Sequence, residues 1–280
     1  MVQIMSDSSA LYSIAQGKEV GLVVNPLSVS VADKTYREFE EIDSDTFLKL
    51  VIEGNTPSSS QPSVGETLSL YEQYGDAPLL NITVADGLSG TYQTASAAAQ
   101  NMPEEKRKNI TVINSGTLCG PHRYLVQKAL SLAKEGLSTE EILNALAPSL
   151  GNHRSFLIPN DFDFLRRGGR LTPLAAKVGG LLKLVPVMTT TKDGKRLEKF
   201  ALCRSFASAM ETICKNFLEN KVGPEHYITV SHAGAPALAR QALEKLRAVF
   251  PDSQIDVLNL SPAFITQGGP QCVAIQYILK

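Results

Sequence analysis

The 280-residue chain carries 27 Lys plus Arg against 28 Asp plus Glu, with 43% hydrophobic and 20% charged residues. This excludes the low hydrophobicity and high net charge of a disordered chain, and it excludes a global positive field that would draw the chain onto nucleic acid or an anionic membrane. The length suits two domains of ~100–200 residues better than one. Cys119, Cys203, Cys214 and Cys272 show no CxxC spacing, and a chain of this size needs no disulfide staples, so reduced thiols are expected. The start "MVQIMSDSSALYS" lacks the basic region and ~7–15-residue apolar run of a signal peptide, and no ~18-residue apolar stretch occurs. A cytoplasmic protein without stable membrane insertion is the expectation.

Short apolar or β-branched runs at 2–5, 20–24, 79–84, 110–114 and 155–158 read as strands. Helical patterns lie between the later ones. "SVGETLSLYEQYG" opens with Ser63 and Glu66 in capping-box spacing and stops at Gly75, and "STEEILNALAPSL" repeats the device with Ser138 and Glu141. Alternation at these intervals predicts βαβ crossovers, hence an α/β protein whose first domain, residues 1–158, is a three-layer α/β/α unit with a mostly parallel sheet.

Beyond residue 158 the texture changes. "FDFLRRGG" predicts a short helix that Gly168 ends in a left-handed conformation, with Arg166 and Arg167 in the last turn suiting the negative end of its dipole. "TPLAAKVGGLL" predicts a further helix, and two strand-like runs flank Asp193-Gly194, a strong hairpin signal. A helix at 205–219, a strand at 227–232, a helix at 236–249 and strands at 255–260 and 272–278 complete a second α/β domain with a mixed sheet, residues 159–280. No flexible linker separates the domains, so their cleft is the default binding site.

Two loops carry candidate chemistry. In "VADGLSGTYQTASAAAQ" two glycines and the hydroxyls of Ser89 and Thr91 precede an alanine-rich helix, an outline that serves equally as an anion site or as a plain helix cap. "TPSSSQPS" holds Ser58, Ser59 and Ser60 between prolines and reads first as a polar loop. "GLSGT" also nears the G-x-S-x-G nucleophile elbow, with Thr91 in place of the last glycine, so a serine hydrolase acting on lipid esters through Ser89 is the alternative reading. His122, His153, His226 and His232 are available as partners, but no spacing nominates one. Neither a phosphate loop nor a metal-ligand spacing occurs, so no cofactor or metal is expected.

Taken in order, "DSS", "SSQPS", "GLSGTYQTA", "INSGTLCG", "FDFLRRGGRLTPLAAKVGGLLKLVPVM", "DG" and Arg204 form one pattern over nearly the whole chain. It resembles the DegV family of bacterial fatty-acid-binding proteins. The resemblance implies a two-domain α/β protein that holds one long-chain fatty acid in a buried tunnel, with no catalytic activity of its own. It further implies that the protein presents the carboxyl group to a separate fatty acid kinase, which makes an acyl phosphate for phospholipid synthesis. Carried over by position, the carboxylate-binding hydroxyls fall on Ser59, with Ser60 beside it, and on Ser89 with Gly90 and Thr91. The head-group arginine falls on Arg204, and Arg170, Asp7 and Ser8 become possible head-group or partner contacts. Where the family carries a histidine this chain has Gln267, which can still donate an amide N–H but cannot carry charge. Asp86, where the family has serine, would repel the head group unless it points away. Leu171, Ala175, Val178, Leu182, Val185 and Met188 would line a tunnel built largely by the second domain, or serve as plain core.

Overall fold

The computed structural model describes residues 1–178 and 184–280. In chain order the first part comprises β1 (Gln3–Asp7), α1 (Ile14–Val20), β2 (Leu22–Asn25), β3 (Ser28–Val31), β4 (Lys34–Arg37), α2 (Ser44–Ile52), β5 (Ser58–Ser60), α3 (Val64–Tyr74), β6 (Leu79–Thr83), α4 (Thr91–Gln100), α5 (Glu104–Arg107), β7 (Ile110–Asn114), α6 (Cys119–Lys134) and α7 (Thr139–Leu146). The second comprises β8 (His153–Ile158), α8 (Phe162–Gly168), β9 (Val185–Thr190), β10 (Leu197–Cys203), α9 (Phe206–Glu219), β11 (His226–His232), α10 (Pro236–Val249), β12 (Gln254–Asn259), α11 (Pro262–Gly268) and β13 (Val273–Leu279).

Among the described residues the strands form three sheets. Strands β2-β1-β6-β7 run parallel, β10-β9-β8-β13-β11-β12 form a mixed sheet, and β4-β3-β5 form a small antiparallel one. All five residues of β6 are buried, as a parallel strand covered on both faces requires. The fold is therefore α/β with a parallel and a mixed sheet, as the alternation of elements predicts.

Local sequence rules account for most element ends. Ser63 with Glu66 and Ser138 with Glu141 both close reciprocal capping boxes at the starts of α3 and α7. The Asp193-Gly194 turn joins the antiparallel pair β9 and β10, with Gly194 at φ +69°.

Four expectations change. The run at 155–158, assigned to the first domain, belongs to β8, which pairs with β13 and β9 inside the mixed sheet. Strand periodicity names a strand but not its partners. Ser58–Ser60, read as a polar loop, is the edge strand β5 paired with β3, its serines too polar to signal a strand. The left-handed residue that ends α8 is Gly169 at φ +71°, one position beyond Gly168. The described part of "TPLAAKVGGLL" is a short 3-10 helix, Ala175–Val178, and residues 179–183 lie outside the described residues.

The two main sheets share a core. Ile4, Leu80, Ile82 and Leu125 of the first part pack in one cluster with Tyr227 and Ile278 of the mixed sheet, with α6 between them. Phe156, Ile213, Phe217, Ile228, Leu246 and Ile275 fill the opposite face of the mixed sheet. One face of the mixed sheet thus looks towards the first part, and a cavity opens there.

Candidate functional site

Chain reversals beyond the carboxyl ends of parallel strands create clefts, most readily where successive connections leave a sheet in opposite directions. Here β1 leads to β2 on one side and β6 leads to β7 on the other, so the junction between β1 and β6 is such a place. A cavity of about 110 Å³ lies beside it. Ser9 after β1, Val84 after β6 and Cys119 at the start of α6 form one wall, while Leu157, Ala274 and Gln276 of the mixed sheet form the other. Phe264, Ala263 and Gly268 bring α11 against it, and the small sheet contributes Ser59 and Ser60.

One end of the cavity is polar. The Gln267 Nε2 group donates to Ser59 Oγ at 3.0 Å, so α11 and β5 meet through their side chains. Ser89 Oγ lies 2.8 Å from Thr91 Oγ1 and accepts the Thr91 N–H at 3.4 Å at the start of α4, whose N-cap residue Gly90 has no side chain. The first turn of a helix favours a negative charge. Gln61 lines the same end and donates to Thr94 Oγ1 at 3.1 Å. The Gln61 amide also packs against Gly90, where a Cβ would lie 2.6 Å from Gln61 Oε1 and turn that side chain away.

Arg170 supplies the positive charge. Its Nε donates to the Leu88 carbonyl at 3.2 Å and a terminal nitrogen to the Gly168 carbonyl at 2.5 Å. Among the described residues no carboxylate pairs with it, and it lines the cavity half-buried. Two of its five N–H groups are engaged, which leaves three directed donors. The Asp86 carboxylate accepts from Gln93 Nε2 at 3.2 Å and does not line the cavity.

Arg204 stands elsewhere. It is exposed between the end of β10 and the Ser205 cap of α9, outside the cavity lining. It follows the last paired residue of the hairpin, Cys203, in the bend that leads into α9.

Asp7 and Ser8 are likewise behind the wall. The Asp7 carboxylate accepts from the backbone N–H groups of Ser9 at 3.0 Å and Val84 at 2.8 Å, and from the Ser9 hydroxyl. Ser8 Oγ donates to Glu38 at 2.5 Å and accepts from Leu27 N–H at 2.9 Å. Ser9, one residue further, is the member that reaches the cavity. It also lies 2.9 Å from His122 Nδ1, and burial holds that imidazole below its ordinary range.

The expected tunnel wall is largely core. Leu171, Ala175 and Met188 pack together with Leu165 under the β9–β10 hairpin, and Val185 packs on the mixed-sheet core. Leu182 and the side chain of Val178 lie outside the described residues. Apolar lining comes instead from both parts, through Leu27, Val84, Leu88, Leu118, Leu157 and Phe264. Ser155 and Gln276, also in the lining, were missed. Their signal is a polar residue inside an apolar strand run, "SFLI" and "CVAIQYI".

Ser89 has no base. Among the described residues its Oγ meets Thr91, and no histidine nitrogen bonds it; the His122 nitrogens face Ser6, Ser9 and the Ile82 carbonyl. Also among the described residues, no cluster of three His, Cys, Asp or Glu could hold a metal, and no helix is long and apolar enough to cross a membrane.

This architecture recurs in known proteins. The solved structure of a fatty-acid-binding DegV family protein from Thermus thermophilus superposes with a TM-score of 0.87 at 27% identity, covering 100% of this chain and 99% of that one. DegV from Bacillus subtilis, a fatty acid binding protein, gives 0.87 at 28% identity with the same coverage. The DegV domain-containing protein YteA of Lactococcus lactis is 29% identical over 278 residues, 98% of this chain and 96% of its own. The model of the family described as "Uncharacterised protein, DegV family" matches residues 1–280, and the chain belongs to that family.

Proposed function

We propose that the protein binds one long-chain fatty acid without catalysing its conversion, with the carboxylate at the Ser59, Ser89, Gln267 and Arg170 end of the cavity. The observation that carries this reading is an apolar cavity closed at one end by hydroxyls, an amide and a guanidinium without a carboxylate partner among the described residues. The fatty-acid binding of the Thermus and Bacillus relatives supports it.

The tail supplies the affinity. Burying about 15 methylenes at ~0.8 kcal/mol each contributes ~12 kcal/mol before association costs, against ~0.5–1.5 kcal/mol for a neutral hydrogen bond to the head group. The polar end therefore orients the ligand more than it holds it. A guanidinium half-buried without a counter-ion favours an anion at the same place.

The finer reading is that this cytoplasmic carrier presents the carboxyl group to a fatty acid kinase, which phosphorylates it for phospholipid synthesis. It is supported by the position of the polar end beside Arg170 and by the exposed Arg167 of α8, which offers positive charge to an anionic co-substrate, whereas Arg166 is paired with Asp163 at 2.6 Å. Gln267 keeps the head group hydrogen-bonded there but transfers no proton, so the kinase must supply any acid or base.

Native mass spectrometry of freshly purified protein tests the binding. The expected result is one long-chain acid per chain; a protein that is ligand-free and takes up no added acid overturns it. Kinase, ATP and loaded protein together should yield acyl phosphate, and no product with an active kinase removes the presentation step alone.

A further inference from the structure

The mixed sheet places an unexpected polar row at the deep end of the cavity. In an antiparallel ladder, directly paired residues point to the same face, and residues two apart along a strand share that face. Leu157 pairs with Ala274, beside Gly268 of α11; Ser155 pairs with Gln276, two residues on. At ~3.3 Å per residue the second pair lies about 7 Å deeper than the first. Both pairs line the cavity. The face that should continue apolar towards the interior instead turns polar, with Ser155 at 8% and Gln276 at 1% exposure.

Gln276 makes three hydrogen bonds, both of its N–H groups among them. Its Oε1 accepts from Gly120 N–H at 3.3 Å, and its Nε2 donates to the Leu118 carbonyl at 3.0 Å and to Ser155 Oγ at 2.7 Å. The amide thus fixes Ser155 as an acceptor. A hydroxyl that accepts still has its own hydrogen to place, and among the described residues that hydrogen meets no acceptor. Buried donors are rarely left so, because desolvation is not returned unless a partner is found. Pure methylene chain offers none.

We infer that Ser155, held by Gln276, is a second polar subsite that takes an oxygen function in the middle of the acyl chain, so that the preferred ligand is an oxygenated long-chain acid, a hydroxy or keto acid. This rests on the fatty-acid reading above and names the ligand class of the same cavity. The head group occupies the Ser59 and Arg170 end, the tail passes the Leu157–Ala274 pair, and the chain oxygen meets Ser155 O–H. A ligand oxygen accepts from Ser155 O–H, and a ligand hydroxyl has the Thr190 side chain, which lines the cavity from the neighbouring strand β9, to receive its own hydrogen.

Competition binding with stearic acid and a series of hydroxystearic acids, the hydroxyl moved along successive mid-chain carbons, tests this on the full chain. One isomer should bind about tenfold tighter than stearic acid, the worth of one buried hydrogen bond. In Ser155→Ala that preference should vanish, the isomer and stearic acid then binding alike; Ser155→Cys, nearly isosteric with a weaker donor, should lie between. Stearic acid binding as well as or better than every isomer in the unaltered protein overturns the subsite and leaves fatty-acid binding standing. A preference that survives Ser155→Ala also overturns it. Failure of every acid, stearic included, removes the fatty-acid reading and the subsite together.

Discussion

Gln267 Nε2 and Ser59 Oγ, 208 residues apart in sequence, lie 3.0 Å apart and join α11 to the edge strand of the small sheet. The two residues come from opposite ends of the chain, yet both face the cavity. Removing the amide while keeping its shape tests its role in orienting a head group. Gln267→Leu should weaken long-chain acid binding roughly two- to tenfold, the worth of one neutral hydrogen bond. Displacement of a fluorescent fatty acid reads this directly, and an unchanged affinity places the head group elsewhere.

The two candidate arginines separate sharply. Arg170 lines the cavity and Arg204 is exposed away from it. Arg170→Ala should weaken acid binding by roughly ten- to hundredfold, as expected for a charged hydrogen-bonded pair, and Arg204→Ala should leave it within about twofold. Calorimetric titration of both variants with the same acid is the check.

Gly168 is a packing requirement of the same end. A Cβ on it would lie 2.1 Å from Gln267 Oε1, so that amide must swing aside and give up its Nε2 bond to Ser59. Gly168→Ala should cost about 0.5–1.5 kcal/mol, the worth of that one hydrogen bond, and lower the thermal midpoint by a few degrees. Gly65→Ala, in α3 with nothing within 4 Å, is the control and should hold or raise the midpoint.

Glu38 gives the protein a pH signature. Burial pushes its carboxyl up to about 7 from 4.5, although Ser8 Oγ–H and the Ala263 N–H both donate to it. A raised folded-state value means that the native protein binds the proton more tightly than the unfolded chain. The resulting stability is complete below pH 4.5 and is lost as the pH rises through about 7, by about 3 kcal/mol in all. Denaturant midpoints across that window should fall with pH in the unaltered protein and flatten in Glu38→Gln. Because Glu38 ties the chain after β4 to the start of α11, acid affinity should track the same window.

Much of the fold is legible because its signals are local. A capping box needs only residues three apart, so Ser63–Glu66 and Ser138–Glu141 announce α3 and α7, and Asp193-Gly194 announces its hairpin by the conformation that glycine alone adopts freely. The family motifs are local too, which is why Ser59, Ser89 and Gln267 could be named before any geometry. Sheet membership is different. Nothing within "HRSFLI" distinguishes a last strand of the parallel sheet from a central strand of the mixed one, since the choice depends on β13, more than a hundred residues away.

By itself, then, the sequence determined the α/β class, the capped starts of α3 and α7 and the β9–β10 hairpin, all set by short-range periodicity, capping and turn chemistry. Only the tertiary structure decided which arginine faces the cavity, because both lie in connections, and whether a connection borders the cavity depends on elements distant in sequence. It alone turned Leu171, Ala175 and Met188 into core, and it alone aligned Ser155 with Gln276 across two strands. Burial and pairing belong to the whole packed chain, and no window of sequence contains them.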